Sequence, residues 1–286
     1  MTKKQLGIFL TVVVLLLAAL IVGIVLTDGL YEKNVNIQES MQDAVLHEGD
    51  KVWFFGMQVN PGLISAYLVT AVILIFAAIV RIAVIPRFKI IPGKFQLVLE
   101  EAVGMFDGMA KNNSPHRNKF LGAYIFAAAA YIFVGTLFEL VGFPWQSVAE
   151  KSVTLPAPLS DINGAISLGC LSYLVILAGG ILSTHVRGLG RTLKEFSLPI
   201  SMSFRLFGAL LSGLLVSELV YSYMTLSFVL PVLVGVLFTV MHALVQAYVL
   251  ATLTALIYGE VTEPYVKKSK VRSKENNKQT KPEVNV

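Results

Sequence analysis

With only one cysteine, Cys170, the chain can form no internal disulfide, and the position of that residue in an apolar stretch reads as packing. Charge is scarce as well: Asp, Glu, Lys and Arg make up 14% of the residues, while 55% are hydrophobic. A mean hydropathy of +0.71 over 286 residues excludes a soluble domain and marks an integral membrane protein. There is no phosphate-binding Gly-Lys-Ser/Thr loop and no grouping of metal ligands, so neither a cofactor nor a metal is expected, and nucleotide chemistry would belong to partners. No Ala-x-Ala site precedes Thr27-Asp28-Gly29, so Leu6–Leu26, which follows Lys3 and Lys4, reads as a retained anchor in place of a cleaved secretory signal.

Long hydrophobic runs are abundant. Stretches of roughly 20 residues or more, enough to cross about 30 Å of hydrocarbon, occur at Leu6–Leu26, Gly62–Ile85, Phe120–Phe143 and Ile162–Thr184. Two longer ones follow at Phe196–Leu230 and Val232–Tyr258. The fold class expected is all-α and polytopic, with about six membrane-embedded helices. Lys and Arg set the orientation. With a cytoplasmic N-terminus, the inner segments collect Lys3, Lys4, Arg87, Lys89, Lys94, Lys111, Arg117, Lys119, Arg187, Arg191, Lys194 and the basic tail from Lys267 to Lys281. The outer segments hold only Lys33, Lys51 and Lys151, so both termini are expected inside. The net charge of +5 then reflects topology, not nucleic-acid binding.

This divides the chain into an anchor (1–27), an exported polar loop (28–61), a membrane domain (62–263) and a basic tail (264–286) whose composition predicts disorder. Between Pro92 and Lys111, Phe95, Val98, Leu99, Val103 and Phe106 recur at helical spacing among Gln96, Glu100, Glu101 and Asp107, predicting an amphipathic helix at the cytoplasmic interface. Ser160 or Asp161 is placed to cap the fourth span. Helices of about 30 residues measure roughly 45 Å, longer than the hydrocarbon is thick. The last two runs, separated by Pro231, therefore read as a long, strongly tilted hairpin.

Within that hairpin lies Arg205, a cation that keeps its proton in proteins. Placing it at mid-bilayer costs about 2.5–3.5 kcal/mol on insertion scales. Ser201, Gly208, Ala209, Ser212 and Val216 lie within about 60° of it on the helix, a small-sided face that admits close approach by a neighbour. Gly235, Thr239, His242 and Gln246 form a second stripe on the last helix. In an antiparallel hairpin, Arg205 would face Gln246, Ala209 would face His242, and Ser212 would face Thr239. Gln can hold the guanidinium without neutralising it, and His exchanges protons near neutral pH. The alternatives are a snorkelling Arg205 and an ordinary hydrogen-bonded His242.

Pro199-Ile-Ser-Met-Ser-Phe-Arg-Leu-Phe-Gly-Ala-Leu-Leu-Ser212 and Gln246-Ala-Tyr-Val249, together with Ser160-Asp161-Ile162-Asn163, resemble the a subunit of F-type ATP synthases over roughly Gly62 to Glu260. The resemblance implies a static, non-enzymatic subunit beside a rotating c-subunit ring, with b subunits of a peripheral stalk and the remaining F0 and F1 subunits as partners, in the lipid bilayer of a bacterial plasma membrane. It further implies two ion half-channels, for H⁺ or in a variant form Na⁺, separated by the arginine at Arg205 with Gln246 in support. The chain departs from the family pattern at three places. Ala209 stands where Asn is common, Leu214 where an acid is common, and Thr239 where His or an acid is common. The outer half-channel is then rebuilt, with His242 expected to supply the missing polar group.

Asp161 and Asn163 are candidates for ion uptake or for simple capping, and Glu218 for the outer rim. Glu195, Lys194 and His185 either line the inner exit or are merely solvated. A rival from another class is a stand-alone secondary transporter with Arg205 binding an anion, but the internal repeats and broken mid-membrane helices it calls for are not evident in the sequence. The lysine and arginine distribution makes a testable statement: a membrane-impermeant thiol probe is expected to label a cysteine introduced in 28–50 from outside and one in 270–286 only after permeabilisation. The reverse pattern would overturn the orientation.

Overall fold

The structure, a computed structural model, describes residues 52–54, 57–141, 143–146, 152–184, 186–222 and 230–264. The expected anchor at 1–27, most of the polar loop at 28–61 and nearly all of the basic tail at 264–286 lie outside the described residues. The described part is built almost wholly from helices, as the composition implied.

The chain enters through a short antiparallel hairpin, β1 (Val52–Phe54) and β2 (Met57–Val59), with Trp53 opposite Gln58. Helix α1 (Pro61–Ile79) starts where the Asn60 side chain accepts the Gly62 N–H at 3.0 Å and Pro61 takes the first helical position. Its far end widens into a π turn over Val80–Val84 and closes as a 3₁₀ turn over Ile85–Arg87. Pro86 explains the change, since it supplies no N–H for the ordinary ladder and its ring crowds the carbonyl four residues back. Helix α2 (Lys94–Asn113) is the expected amphipathic helix. Helices α3 (Lys119–Val141) and α4 (Ile162–Thr184) follow, separated by a second hairpin of β3 (Pro144–Gln146) and β4 (Ser152–Thr154). Then come α5 (Val186–Lys194), α6 (Ser197–Ser222) and α7 (Leu230–Thr262).

Among the described residues, four helices are long and apolar enough to cross a membrane, or five if α5 and α6, bent by 45° at Glu195 and Phe196, count as one span. The hairpins were not foreseen. They are three-residue strands near the ends of long apolar runs, too short for alternation to register.

Helices apolar all round do not reveal from sequence which face turns inward. Packing shows it: α7 makes its broadest contact with α3, and α4 packs against α6, α5 and α7. The central cluster joins Leu121, Ile125 and Ile132 of α3, Met202 and Leu206 of α6, and Ala247, Leu250, Ala251 and Ala255 of α7. Alanines on α7 let α3 come close, so dispersion contacts substitute for a hydrophobic driving force that lipid does not supply. A smaller cluster of Val52, Ile64, Val69, Phe138 and Leu155 seats both hairpins on the adjoining ends of α1 and α3. The end of α7 is tied down by polar contacts. Ser183 donates to the Thr262 carbonyl at 2.8 Å and Arg191 to the Glu263 carbonyl at 2.9 Å, so last-turn acceptors gain partners, one of them cationic.

The apolar stripe of α2 is buried at Phe106 and Ala110, while Phe95, Val98 and Val103 are not covered by the described residues. Two expectations are corrected. Pro231 does not separate the last two helices; it is the second residue of α7, where a missing N–H costs nothing. Cys170 is exposed on α4, because its face of that helix borders a surface cavity instead of the core.

Close approach also sets limits on substitution. A Cβ on Gly259 would collide with the backbone carbonyl of Asn113, which no rotamer change can relieve, whereas one on Gly104 meets nothing within 4 Å. Gly259→Ala is expected to destabilise the α2–α7 junction by about 1–3 kcal/mol, and Gly104→Ala to be neutral or to stabilise by up to about 1 kcal/mol. Thermal denaturation of the purified variants in detergent checks the contrast.

Candidate functional site

Arg205 lies eight residues into α6, about 12 Å along the helix from Ser197. The helix buries Leu198, Met202, Ser203, Leu206 and Leu210 on one side. Ser203 donates to the Pro199 carbonyl at 2.6 Å. A Cβ on Gly169 of α4 would run into the Ser203 hydroxyl and stand 2.9 Å from that same carbonyl, so α4 and α6 touch backbone to backbone. Arg205 points roughly 100° away from this buried face. It is exposed together with Ser201, Phe204, Gly208 and Ser212, and a Cβ added at Gly208 would meet nothing within 4 Å. Among the described residues Arg205 has neither a hydrogen-bond nor an ion-pair partner. Among the described residues the small-sided face is therefore an open flank, with nothing packed close along it.

The second stripe lies where the geometry of α7 allows. That helix buries Ala243, Ala247, Leu250 and Ala251, and Thr239, His242 and Gln246 run along the margin of the buried face, each half-buried. The imidazole of His242 leans on Phe238, with ring centroids 5.7 Å apart. A methyl built on Gly213 would stand 3.9 Å from its Nδ1. His242 thus sits beside Gly213, next in sequence to Ser212, one turn further along α6 than the Ala209 expected from the equal-sum pairing. No hydrogen bond joins Arg205 to Gln246. Equal-sum counting assumes two straight helices meeting face to face, whereas α7 gives its broadest contact to α3 and meets α6 only at its flank. Ser212 turns its hydroxyl back to the Ala209 carbonyl at 2.8 Å.

At the hairpin end of the bundle, Asp161 is the N-cap of α4, accepting the Asn163 N–H at 3.0 Å and its Nδ2–H at 3.2 Å on Oδ1. Capping and exposure to a cavity coexist there. Asp161 and Asn163 line a space of about 580 Å³ between α1, α3 and α4, with Gly62, Tyr124, Tyr131 and Ser167 among its other walls. The α4 side of this region is polar in steps, with Ser167 donating to the Asn163 carbonyl at 2.7 Å and Ser172 sharing a 2.8 Å hydrogen bond with the Tyr124 hydroxyl.

The tyrosines and Ser172 were not singled out from the sequence, since isolated hydroxyls in a long apolar helix carry no periodic signal. Glu139, half-buried near the end of α3, was also missed, although it is the one acidic residue in that helix and intramembrane acids are rare.

At the other end of α6, Glu195 sits half-buried in the 45° elbow. Its N–H donates to the Thr192 carbonyl at 3.0 Å and its carbonyl accepts the Leu198 N–H at 2.9 Å, while Lys194 is exposed. His185 and the side chain of Glu218 lie outside the described residues. No group of three or more metal-ligating side chains is found among the described residues.

The fold around Arg205 has a match among known families. The family described as ATP synthase A chain aligns with residues 63–258, from the start of α1 into the last turns of α7, and takes in Arg205, His242 and Gln246. That is more than two thirds of the chain. Four or five apolar spans among the described residues, an exposed guanidinium on an apolar helix and this alignment agree: the chain belongs to the ATP synthase A chain family, the ion-translocating membrane subunits of the F0 sector, which carry no catalytic site of their own.

Proposed function

We propose that the chain conducts protons between two half-channels past a rotating ring of c subunits in a bacterial plasma membrane, with both termini cytoplasmic, and that Arg205 is the fixed charge that separates the two paths. The ring docks on the flank bearing Arg205, Gly208 and Ser212, b subunits of a peripheral stalk hold the subunit still, and the remaining F0 and F1 subunits carry the nucleotide chemistry. The single observation that carries this reading is the guanidinium on the side of an apolar helix, exposed and without a partner among the described residues. A permanent charge facing lipid would be costly. One facing a passing carboxylate is satisfied once per subunit step.

The chemistry follows from that geometry. An opposite charge within about 4–6 Å lowers a carboxyl pKa by 1–3 units, so a ring carboxylate reaching Arg205 gives up its proton to the exit path. The same charge repels a proton moving directly from one path to the other. Because one charge falling through 100 mV is worth about 2.3 kcal/mol, a leak there would drain the work available to rotation. On the uptake side, Asp161 and Asn163, with Ser167 and the two tyrosines, bring polar groups to a cavity whose other walls are apolar. Thr239, His242 and Ser212 continue a polar margin between α6 and α7, with His242 taking the role left by Ala209 and Leu214. Gln246 keeps the margin polar without adding charge. On the release side, Glu195 and Lys194 at the elbow share with His185 the role of an exit rim, and Glu218 is assigned the outer rim.

Arg205→Ala is expected to slow coupled proton release by about 10- to 1000-fold, matching the lost pKa depression, while passive leak through the assembled complex rises. Proton flux in vesicles holding the whole complex, at varied pH and Na⁺, reads both effects; preserved coupling would defeat the assignment, and Na⁺-dependent flux would replace H⁺ by Na⁺. His242→Leu is expected to reduce proton flux while leaving complex assembly intact. Unchanged flux removes His242 from the path.

A further inference from the structure

Where α1 gives way to α2, the chain folds over a second cavity, of about 450 Å³, on the side of the bundle away from the Asp161 space. Arg87, Lys89 and Lys94 line it with Gly93, Phe95 and Gln96, over a floor from Ala83 and Val84. All three cations are exposed, and none is in an ion pair among the described residues. Gln96 keeps the loop in place. Its Oε1 accepts the Lys89 N–H at 3.1 Å, and its Nε2 donates to the Lys89 carbonyl at 3.0 Å and to Glu100 at 2.7 Å. Glu100, the acid nearest to the cavity on α2, is thereby held on the far side of the Gln96 amide and is not among the lining residues. Gly93 leaves the mouth clear, since a Cβ there would meet nothing within 4 Å.

The rim has the opposite character. Ile82, Ile90 and Ile91 are 75%, 102% and 85% exposed, and Phe95, Leu97 and Val98 are all more than half exposed. A soluble anion has no use for such a border, and an acidic protein segment would leave most of it bare. The apolar helix that spans the membrane ends at Arg87, so the cavity lies at a bilayer surface whichever way the chain is oriented. Three unpaired cations around a roomy hollow, bordered by bare aliphatic side chains at the height where headgroups meet acyl chains, match a phosphodiester with two hydrocarbon tails.

We infer that this hollow is a binding site for an anionic phospholipid: Arg87, Lys89 and Lys94 take the headgroup phosphate, and Ile90, Ile91 and Phe95 lie along its acyl chains. The lipid then wedges the α1–α2 turn against the bilayer and fixes the height of the amphipathic helix. This site is separate from the ion path and does not depend on it.

Native mass spectrometry of the full chain in detergent, titrated with phosphatidylglycerol or phosphatidylcholine, tests the inference. Phosphatidylglycerol is expected to be retained in preference to phosphatidylcholine. The Arg87→Gln/Lys89→Gln/Lys94→Gln variant is expected to lose roughly fivefold in affinity per cation, on the order of 100-fold in all. Lys119→Gln, a cation on the same membrane side but outside the hollow, is expected to change it little. Ile90→Ser/Ile91→Ser, which leaves charge untouched, is expected to weaken the lipid as well. Equal retention by the triple variant, an equal loss in Lys119→Gln, or no effect of the isoleucine changes would overturn the assignment. So would full competition by inorganic phosphate or by an acidic peptide at the same concentration, which would identify a free anion or a protein segment as the occupant.

Discussion

A guanidinium that cannot shed its proton, standing on the flank of an apolar helix without a counter-charge among the described residues, is the constraint to which the rest of this structure answers. Under the proposed function its charge is met by a partner's carboxylate, and is met at a fixed height. Height is controlled by α6, and α6 is held by backbone contact with α4 at Gly169 and Ser203 and by the 45° elbow at Glu195. A looser seat would let the long side chain slide toward the membrane surface, where water would satisfy it and its effect on a passing carboxylate would fade. The bare flank around Gly208 serves the same end, since a bulky side chain there would hold a partner out of range.

Rigidity and polarity are kept on different surfaces of the same helices. Helix α7 shows this most clearly: Ala243, Ala247 and Ala251 face the core, and the margin beside them carries Thr239, His242 and Gln246. Polar groups at a margin remain within reach of water, whereas the buried Thr254 hydroxyl of the same helix has no hydrogen-bond partner among the described residues. Hydroxyls elsewhere in the spans mostly turn back to carbonyls of their own helices, as Ser203 and Thr262 do. Cavities open at the two ends of the first span, one that runs from Asp161 as far as Tyr124 and Leu171 and a cationic one by Arg87, and a smaller one lies between α4 and α6 beside Cys170.

Several elements were legible from sequence because their signal is local. The α2 pattern, the Asp161 cap and the apolar run behind each described span needed only periodicity, capping chemistry and hydrocarbon thickness. Arg205 stood out for the same reason, since one permanent charge among apolar residues is visible without knowing its neighbours. The pairing of Arg205 with Gln246 was not recoverable in this way. Index counting presumed that α6 and α7 share one face, whereas the small residues of α7 favour α3. Glu139, Tyr124 and Ser172 were passed over because a single polar residue has no period. The strand hairpins were missed because three residues cannot show alternation.

Composition by itself determined that this chain is a membrane protein of apolar helices with an arginine set in an apolar run, because partition between water and hydrocarbon acts residue by residue. Which side of each helix is core, that Arg205 faces away from the described residues, that His242 stands beside Gly213, and that three cations gather around one hollow were decided only in the tertiary structure. In helices apolar on every side, inward and outward faces differ only in van der Waals fit, and that quantity exists only once two surfaces meet.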